Sequence, residues 1–180
     1  MKFVELEIPG VWLIEPEPFV DDRGVFRRHF CQKEFDERGI ESRICQTNIS
    51  ENWVKYSLRG FHYQIKPYGE CKTISCLQGA VYDIVVDLRP ESQSFLRWLS
   101  VEIDSKNHLS LHVPAGCANA YLTLEDQTMI HYYMSEFYHP ESYRGFRYND
   151  PLFNFVWPAE PKVISEKDRN FSNFDPHSVK

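Results

Sequence analysis

What this sequence lacks narrows the field before any motif is read. No stretch approaches the roughly 18 to 20 consecutive apolar residues of a membrane helix. The first ten residues, MKFVELEIPG, have neither the basic nor the apolar region of a signal peptide. The expected location is cytoplasmic, with no membrane partner. An excess of positive charge is missing too: 20 Lys and Arg stand against 26 Asp and Glu, a formal net charge of −6, which disfavours nucleic acid as a partner. The five cysteines, Cys31, Cys45, Cys71, Cys76 and Cys117, are odd in number and show no C-x-x-C spacing. That argues against a disulfide framework or a structural zinc site and for reduced, mostly buried thiols. The seven histidines include no H-x-H pair, and His108 and His112 stand four apart, a spacing that suits ligands on a helix better than on a strand. No metal is expected. Glycine-rich phosphate loops and a G-x-S-x-G elbow are absent, so nucleotide cofactor use and serine hydrolysis lack support. Asn48-Ile49-Ser50 matches a glycosylation acceptor, which without a secretion signal carries little weight. There is no internal repeat, low-complexity tract or long linker, and a single domain over 1–180 is expected.

What is present is a chain of 180 residues, 42% hydrophobic and 15% aromatic, long enough to bury a core. Short runs of β-branched and aromatic residues are separated by Gly, Pro, Asn and Asp, which predicts an all-β fold. Strands are expected at Gln46 to Ser50, Leu58 to Gln64, Phe95 to Ile103, His108 to Val113, Ala118 to Leu124 and Thr128 to Tyr133. Cys71 to Leu88 reads as a hairpin divided at Gln78-Gly79. In its second half Tyr82, Ile84, Val86 and Leu88 alternate with Val81, Asp83, Val85 and Asp87, so that one face packs inward and the other carries two carboxylates. One short helix is expected, Gln32 to Arg38, stopped by Gly39. Eight or more short strands fit a double-sheet jelly roll, and the turn-rich tail from Pro140 is expected to wrap it.

Chemistry concentrates in Arg59-Gly60-Phe61-His62-Tyr63-Gln64. It places a histidine on a strand beside an arginine, with Gly60 permitting close approach. His62 and Gln64 share a face, and Arg59 points to the other unless Gly60 bends the strand. Taken alone, His62 is either a structural or a catalytic histidine. Lys72 shares parity with Ile74 and Cys76, so it is either an edge lysine or an interior ammonium that must be paired or used. Tyr132 and Tyr133 point in opposite directions, and at least one faces the interior.

Further motifs fall in a telling order: Asp22-Arg23-Gly24 with Phe26, Gln46-Thr47-Asn48, the His62 segment, Lys72, Asp83 through Arg89, Pro114-Ala115-Gly116, Tyr132, Tyr138, Arg144-Gly145, Asn149-Asp150-Pro151, Trp157-Pro158 and Ser165-Glu166-Lys167-Asp168-Arg169. From about Pro9 to Arg169 the chain resembles the dTDP-4-dehydrorhamnose 3,5-epimerase family. The resemblance implies a cupin-like jelly-roll barrel that dimerises by exchanging strands and works without metal or nucleotide cofactor. It implies inversion of carbons next to the C4 ketone of a nucleotide-linked 4-keto-6-deoxyhexose, in a deoxysugar or surface-polysaccharide pathway. By motif position, His62 is implied as the base, Lys72 as the oxyanion stabiliser, Tyr132 as the acid on the opposite face and Asp168 as the carboxylate orienting the histidine. Arg23, Arg59 and Lys167 are implied to hold the diphosphate. Phe19, Phe26 and Tyr138 are implied to pack around base and sugar, Gln46 and Asn48 to supply polar contacts, and Asp83 to lie near the site.

Two positions depart from the family pattern. Asn119 stands where a cleft histidine is usual, and an amide cannot transfer protons as imidazole does, so inversion at one carbon or a different sugar becomes a live variant. Arg28 stands where a glutamate contacts thymine. A donor-only side chain suits a base with acceptors at that edge, such as cytosine, unless Arg28 is a surface arginine. The competing readings are a nucleotide-sugar ketoisomerase on the same fold and a non-catalytic sugar or nucleotide binding module.

Overall fold

The computed structural model describes residues 1–179. Two antiparallel sheets face each other. The first has the order β1 (Lys2–Glu5), β2 (Trp12–Glu15), β10 (Ser110–Val113), β7 (Lys72–Gln78), β12 (Thr128–Met134), β5 (Gln46–Asn52). The second runs β13 (Tyr143–Gly145), β6 (Ser57–Gln64), β11 (Cys117–Thr123), β8 (Ala80–Asp87), β9 (Trp98–Asp104), with β14 (Val163–Ile164) added in parallel to the start of β6. A separate hairpin, β3 (Phe19–Asp21) and β4 (Gly24–Phe26), belongs to neither sheet. The expected all-β, cupin-like architecture is the one observed.

The expected hairpin at Gln78-Gly79 is not a hairpin. β7 pairs with β10 and β12, whereas β8 pairs with β11 and β9. The chain therefore crosses from one sheet to the other at this corner, where Gly79 takes φ +77 and lies against Thr128. Strand alternation cannot distinguish a turn within a sheet from a corner between sheets, because both need a positive-φ residue.

The face of β8 that carries carboxylates is also the interior one. Val81 and Val85 pack between the sheets with Val11, Ile74, Cys76, Ile103, Leu111 and Ile130. On the other face, Ile84 and Val86 pack with Phe61, Ala118 and Ala120 under the tail's Phe146, Phe153, Phe155, Trp157 and Phe174. The tail thus wraps the second sheet as expected. Both faces of β8 are buried, and its carboxylates need partners. Asp87 finds them in Arg89 at 2.7 Å and in the Ser92 and Ser94 hydroxyls. The turn built around Asp87 delays β9 to Trp98, three residues later than expected. β10 likewise begins at Ser110, after a turn in which His108 takes φ +57.

On the outer side of the first sheet sits α1 (Gln32–Asp36), whose Phe35 packs with Ile14 and Ile40. It ends two residues before the expected Arg38, and Gly39 at φ +68 completes the turn by donating its N–H to Asp36 O. A second short helix, α2 (Glu166–Arg169), is capped by Ser165, whose hydroxyl accepts from the Asp168 N–H at 3.0 Å. All five cysteines are free thiols, but only Cys76 and Cys117 are buried; the other three are half-buried.

Candidate active site

Between the sheets opens a pocket of about 600 Å³. The first sheet contributes Gln46 and Asn48 from β5, Lys72 and Ile74 from β7, and Tyr132 and Met134 from β12. The second contributes Arg59 and His62 from β6, Asn119 and Tyr121 from β11, and Tyr143 from β13. Tyr138, Glu70 and Lys167 of α2 complete the wall.

Arg59 and His62 are three residues apart and would face opposite ways on a regular strand. Here Asn119 pairs with His62 but Tyr121 pairs with Arg59, so β6 spends one more residue than β11 over the same span. Gly60, at φ +122, takes up that extra residue. A Cβ there would sit 2.5 Å from the Ala120 Cα, so the position admits only glycine. The bulge turns both side chains into the same pocket.

His62 Nε2 and Asp168 Oδ1 are 2.7 Å apart, while the other Asp168 oxygen accepts the Gly60 N–H at 3.3 Å. Burial lowers the His62 pKa below the ordinary imidazole value, although Asp168 pulls the other way. Burial is the largest influence on Asp168 and works to raise its pKa, but the hydrogen bond and charge of His62, with the Gly60 N–H and the Ser165 hydroxyl, together hold the carboxyl below the usual range. At neutral pH this gives a carboxylate accepting Nε2–H and an imidazole whose Nδ1 is unprotonated. Such a nitrogen can take a proton.

Lys72 faces the interior, as one of its two readings required. Its ammonium donates to Glu70 at 2.9 Å and to the His62 backbone carbonyl at 3.0 Å. Tyr132 stands on the sheet opposite His62, and burial raises its pKa, so the phenol holds its proton. Tyr133 points outward against His29 and Phe30. A base on one wall and a phenol on the other is the arrangement that removing and returning a proton on opposite faces of one carbon demands.

Gln46, Asn48, Arg59, Asn119, Tyr138 and Lys167 all reach the pocket. Asp83, expected among the substrate contacts, is behind the wall instead. It is fully buried, accepts from the Asn119 amide at 3.2 Å, and is pushed up to about 8 by burial. It reaches the pocket through its hydrogen bond with Asn119 and through the nearby charge of Lys72.

Phe19, Arg23, Phe26 and Arg28 are not brought to this pocket. The first three lie on the β3–β4 hairpin, where Phe19 and Phe26 are 65% and 76% exposed. Arg23 pairs with Asp21 and Arg28 with Glu34. Phe19, Phe26 and Arg28 line a separate shallow hollow beside the amino terminus. Sequence reasoning also missed Glu70 and Tyr143. Tyr143 packs 5.3 Å from the His62 ring under the Lys167 ammonium. No pattern flags it in a tail rich in aromatics. Glu70 precedes its strand, so alternation does not reach it, but its i, i+2 spacing from Lys72 was a usable signal. Among the described residues no three His, Cys, Asp or Glu side chains gather as a metal-binding group, and no helix is long and apolar enough to cross a membrane.

Comparison with known proteins places this pocket in context. The family model described as dTDP-4-dehydrorhamnose 3,5-epimerase matches residues 5–175. The dTDP-4-dehydrorhamnose 3,5-epimerase of Shigella flexneri is 36% identical over 175 residues, 97% of this chain and 96% of the relative. The crystal structure of the Bacillus anthracis enzyme of that name, with TDP and PPi bound, superposes with a TM-score of 0.93 at 33% identity, covering 96% of this chain and 99% of its own. ChmJ, a 3'-monoepimerase from Streptomyces bikiniensis in complex with dTDP-quinovose, gives a TM-score of 0.87 at 30% identity, covering 93% and 85%.

Proposed function

The chain belongs to the dTDP-4-dehydrorhamnose 3,5-epimerase family, and from that premise we propose that His62 and Tyr132 invert carbon next to the ketone of a nucleotide-linked 4-keto-6-deoxyhexose. The observation that carries this reading is the His62–Asp168 pair at 2.7 Å on one wall, with Tyr132 on the other and the Lys72 ammonium close to the base. His62 takes the proton at C3 or C5, and Asp168 fixes its tautomer. Lys72 donates to the C4 oxygen as it gains negative charge. Tyr132 returns a proton to the opposite face, and solvent restores both groups. Arg59 and Lys167 are the cations available to the diphosphate.

The β3–β4 hairpin supports a homodimer in which each protomer lends this arm to its partner. Its exposed Phe19 and Phe26, with Arg23 beside them, then pack on the partner's nucleotide rather than face water. The enzyme acts in the cytoplasm in this reading.

A second reading, inversion at a single carbon, is favoured by one observation. Asn119, the cross-strand partner of His62, presents an amide and no transferable proton, and ChmJ is a structural neighbour whose name describes one inversion. Incubation with dTDP- and CDP-4-keto-6-deoxyglucose in deuterated water tests both. We expect deuterium at C3, C5 or both in the wild type and none in His62→Ala. Tyr132→Phe should still exchange the first proton while net inversion falls by at least tenfold. Exchange at the wild-type rate in His62→Ala would remove the base.

A further inference from the structure

Lys72 reaches the pocket on four flexible methylenes, in a space it shares with the cations Arg59 and Lys167. Mutual repulsion and the search for water would draw such an ammonium away from the reacting centre. Two contacts oppose this. One is the His62 carbonyl at 3.0 Å, which ties the ammonium to the backbone of the base itself. The other is Glu70 Oε1 at 2.9 Å, with the two side chains only 4% and 12% exposed. An ammonium has three N–H donors. Two are taken by these acceptors, which leaves one.

Glu70 itself is the anomaly. Its second oxygen, Oε2, is buried without a hydrogen-bond partner among the described residues. Buried carboxylate oxygens are ordinarily satisfied, and a buried ion pair adds little to stability by itself. The molecule tolerates an unsatisfied anion where an apolar pair of the same volume would serve folding as well or better.

We propose that Glu70 is a positioning residue, which with the His62 carbonyl fixes two of the three Lys72 N–H bonds so that the third is aimed at the substrate's ketone oxygen. The proposal rests on the proton-transfer reading above. Although Glu70 lines the pocket wall, its proposed role is exerted through Lys72. It also offsets the charge of that ammonium in the empty pocket, so that the donor is held in place before the substrate arrives and needs no reorganisation when charge develops on oxygen. A displacement of about 1 Å in such a donor costs up to roughly hundredfold in rate.

The test uses the full-length protein, solvent deuterium wash-in and calorimetric binding of the nucleoside diphosphate alone. Glu70→Ala should lower kcat by tenfold to hundredfold while KM and the diphosphate Kd stay within about twofold. Glu70→Gln keeps the shape and one acceptor, so it should recover a large part of the lost kcat. In a Lys72→Met background there is no ammonium left to aim, and Glu70→Gln should cost nothing further. A Glu70→Gln protein with wild-type kcat overturns the proposal if Glu70→Ala fails to fold or is equally active. A loss that appears in diphosphate affinity, or that persists undiminished in the Lys72→Met background, overturns it as well. Absence of wash-in from the wild type is a different result, since it defeats the underlying proton-transfer reading rather than the role of Glu70.

Discussion

At Arg28 a guanidinium that can only donate stands where family resemblance leads one to expect an acceptor for the thymine N3 hydrogen. Within one protomer Arg28 is 62% exposed and contacts Glu34 at 3.4 Å, so it meets a nucleotide only if the neighbouring arm is lent to a partner. In that event a thymine N–H facing arginine goes unpaired, a loss of about 1–3 kcal/mol. Arg28→Glu should therefore shift the ratio of CDP to dTDP affinity toward dTDP by about tenfold to hundredfold, read by titrating both diphosphates into both proteins. An unchanged ratio would leave Arg28 as a surface partner of Glu34. The side chains that meet at the pocket were legible in the sequence where a motif carried them: His62, Lys72 and Tyr132 line it, and Asp168 pairs with His62. They were hidden where only three-dimensional proximity gives them meaning. Asp83 was expected near the site, yet nothing in a strand pattern says whether a side chain reaches a cavity or stops one layer behind it.

Gly60 shows what one extra residue does to an element. Because it lets Arg59 and His62 share a pocket, its replacement strikes the site and the fold together. Gly60→Ala forces a Cβ to 2.5 Å from the Ala120 backbone at φ +122, and it is expected to cost about 1–3 kcal/mol or more. Thermal unfolding measures that cost, and wash-in by the folded fraction should fall with it. Wild-type melting and wild-type wash-in would show that β6 can relax around the new methyl. The glycine was visible in the sequence as a possible bend, but period-two alternation assumes a regular strand, so the bulge had to be seen. Reading Gln78-Gly79 as a hairpin failed for a related reason. Local sequence encodes the corner, whereas the choice of sheet is made by Ile74 and Val85 meeting other strands across the core.

Across the whole molecule, histidines whose pKa values are depressed shape the response to acid. His112 lies inside the packing under α1, shares a 2.9 Å hydrogen bond with Thr73, and is lowered to about 4 by burial. His29 is also lowered to about 4, by burial first and then by His131 and Arg27. The unfolded chain takes up protons at these positions below about pH 6.5, whereas the folded protein does not until about 4. The contribution of these histidines is therefore full above 6.5 and is lost as pH drops toward 4, by up to about 3 kcal/mol for the buried His112, while the raised pKa of Asp83 works in the opposite direction over the same range. As pH falls over this interval, the Tm of His112→Gln should gain on that of the wild type. Equal slopes would mean that His112 titrates in the native state. Finally, His62 and the carboxylate it pairs with are 106 residues apart in the chain, one on β6 and the other on α2 of the tail. A molecule whose tail has locally detached keeps the main strands of both sheets but loses this pair. In the proposed reaction, proton abstraction therefore depends on the tail staying docked, so that local opening of α2 would silence the chemistry while the sheets remain folded.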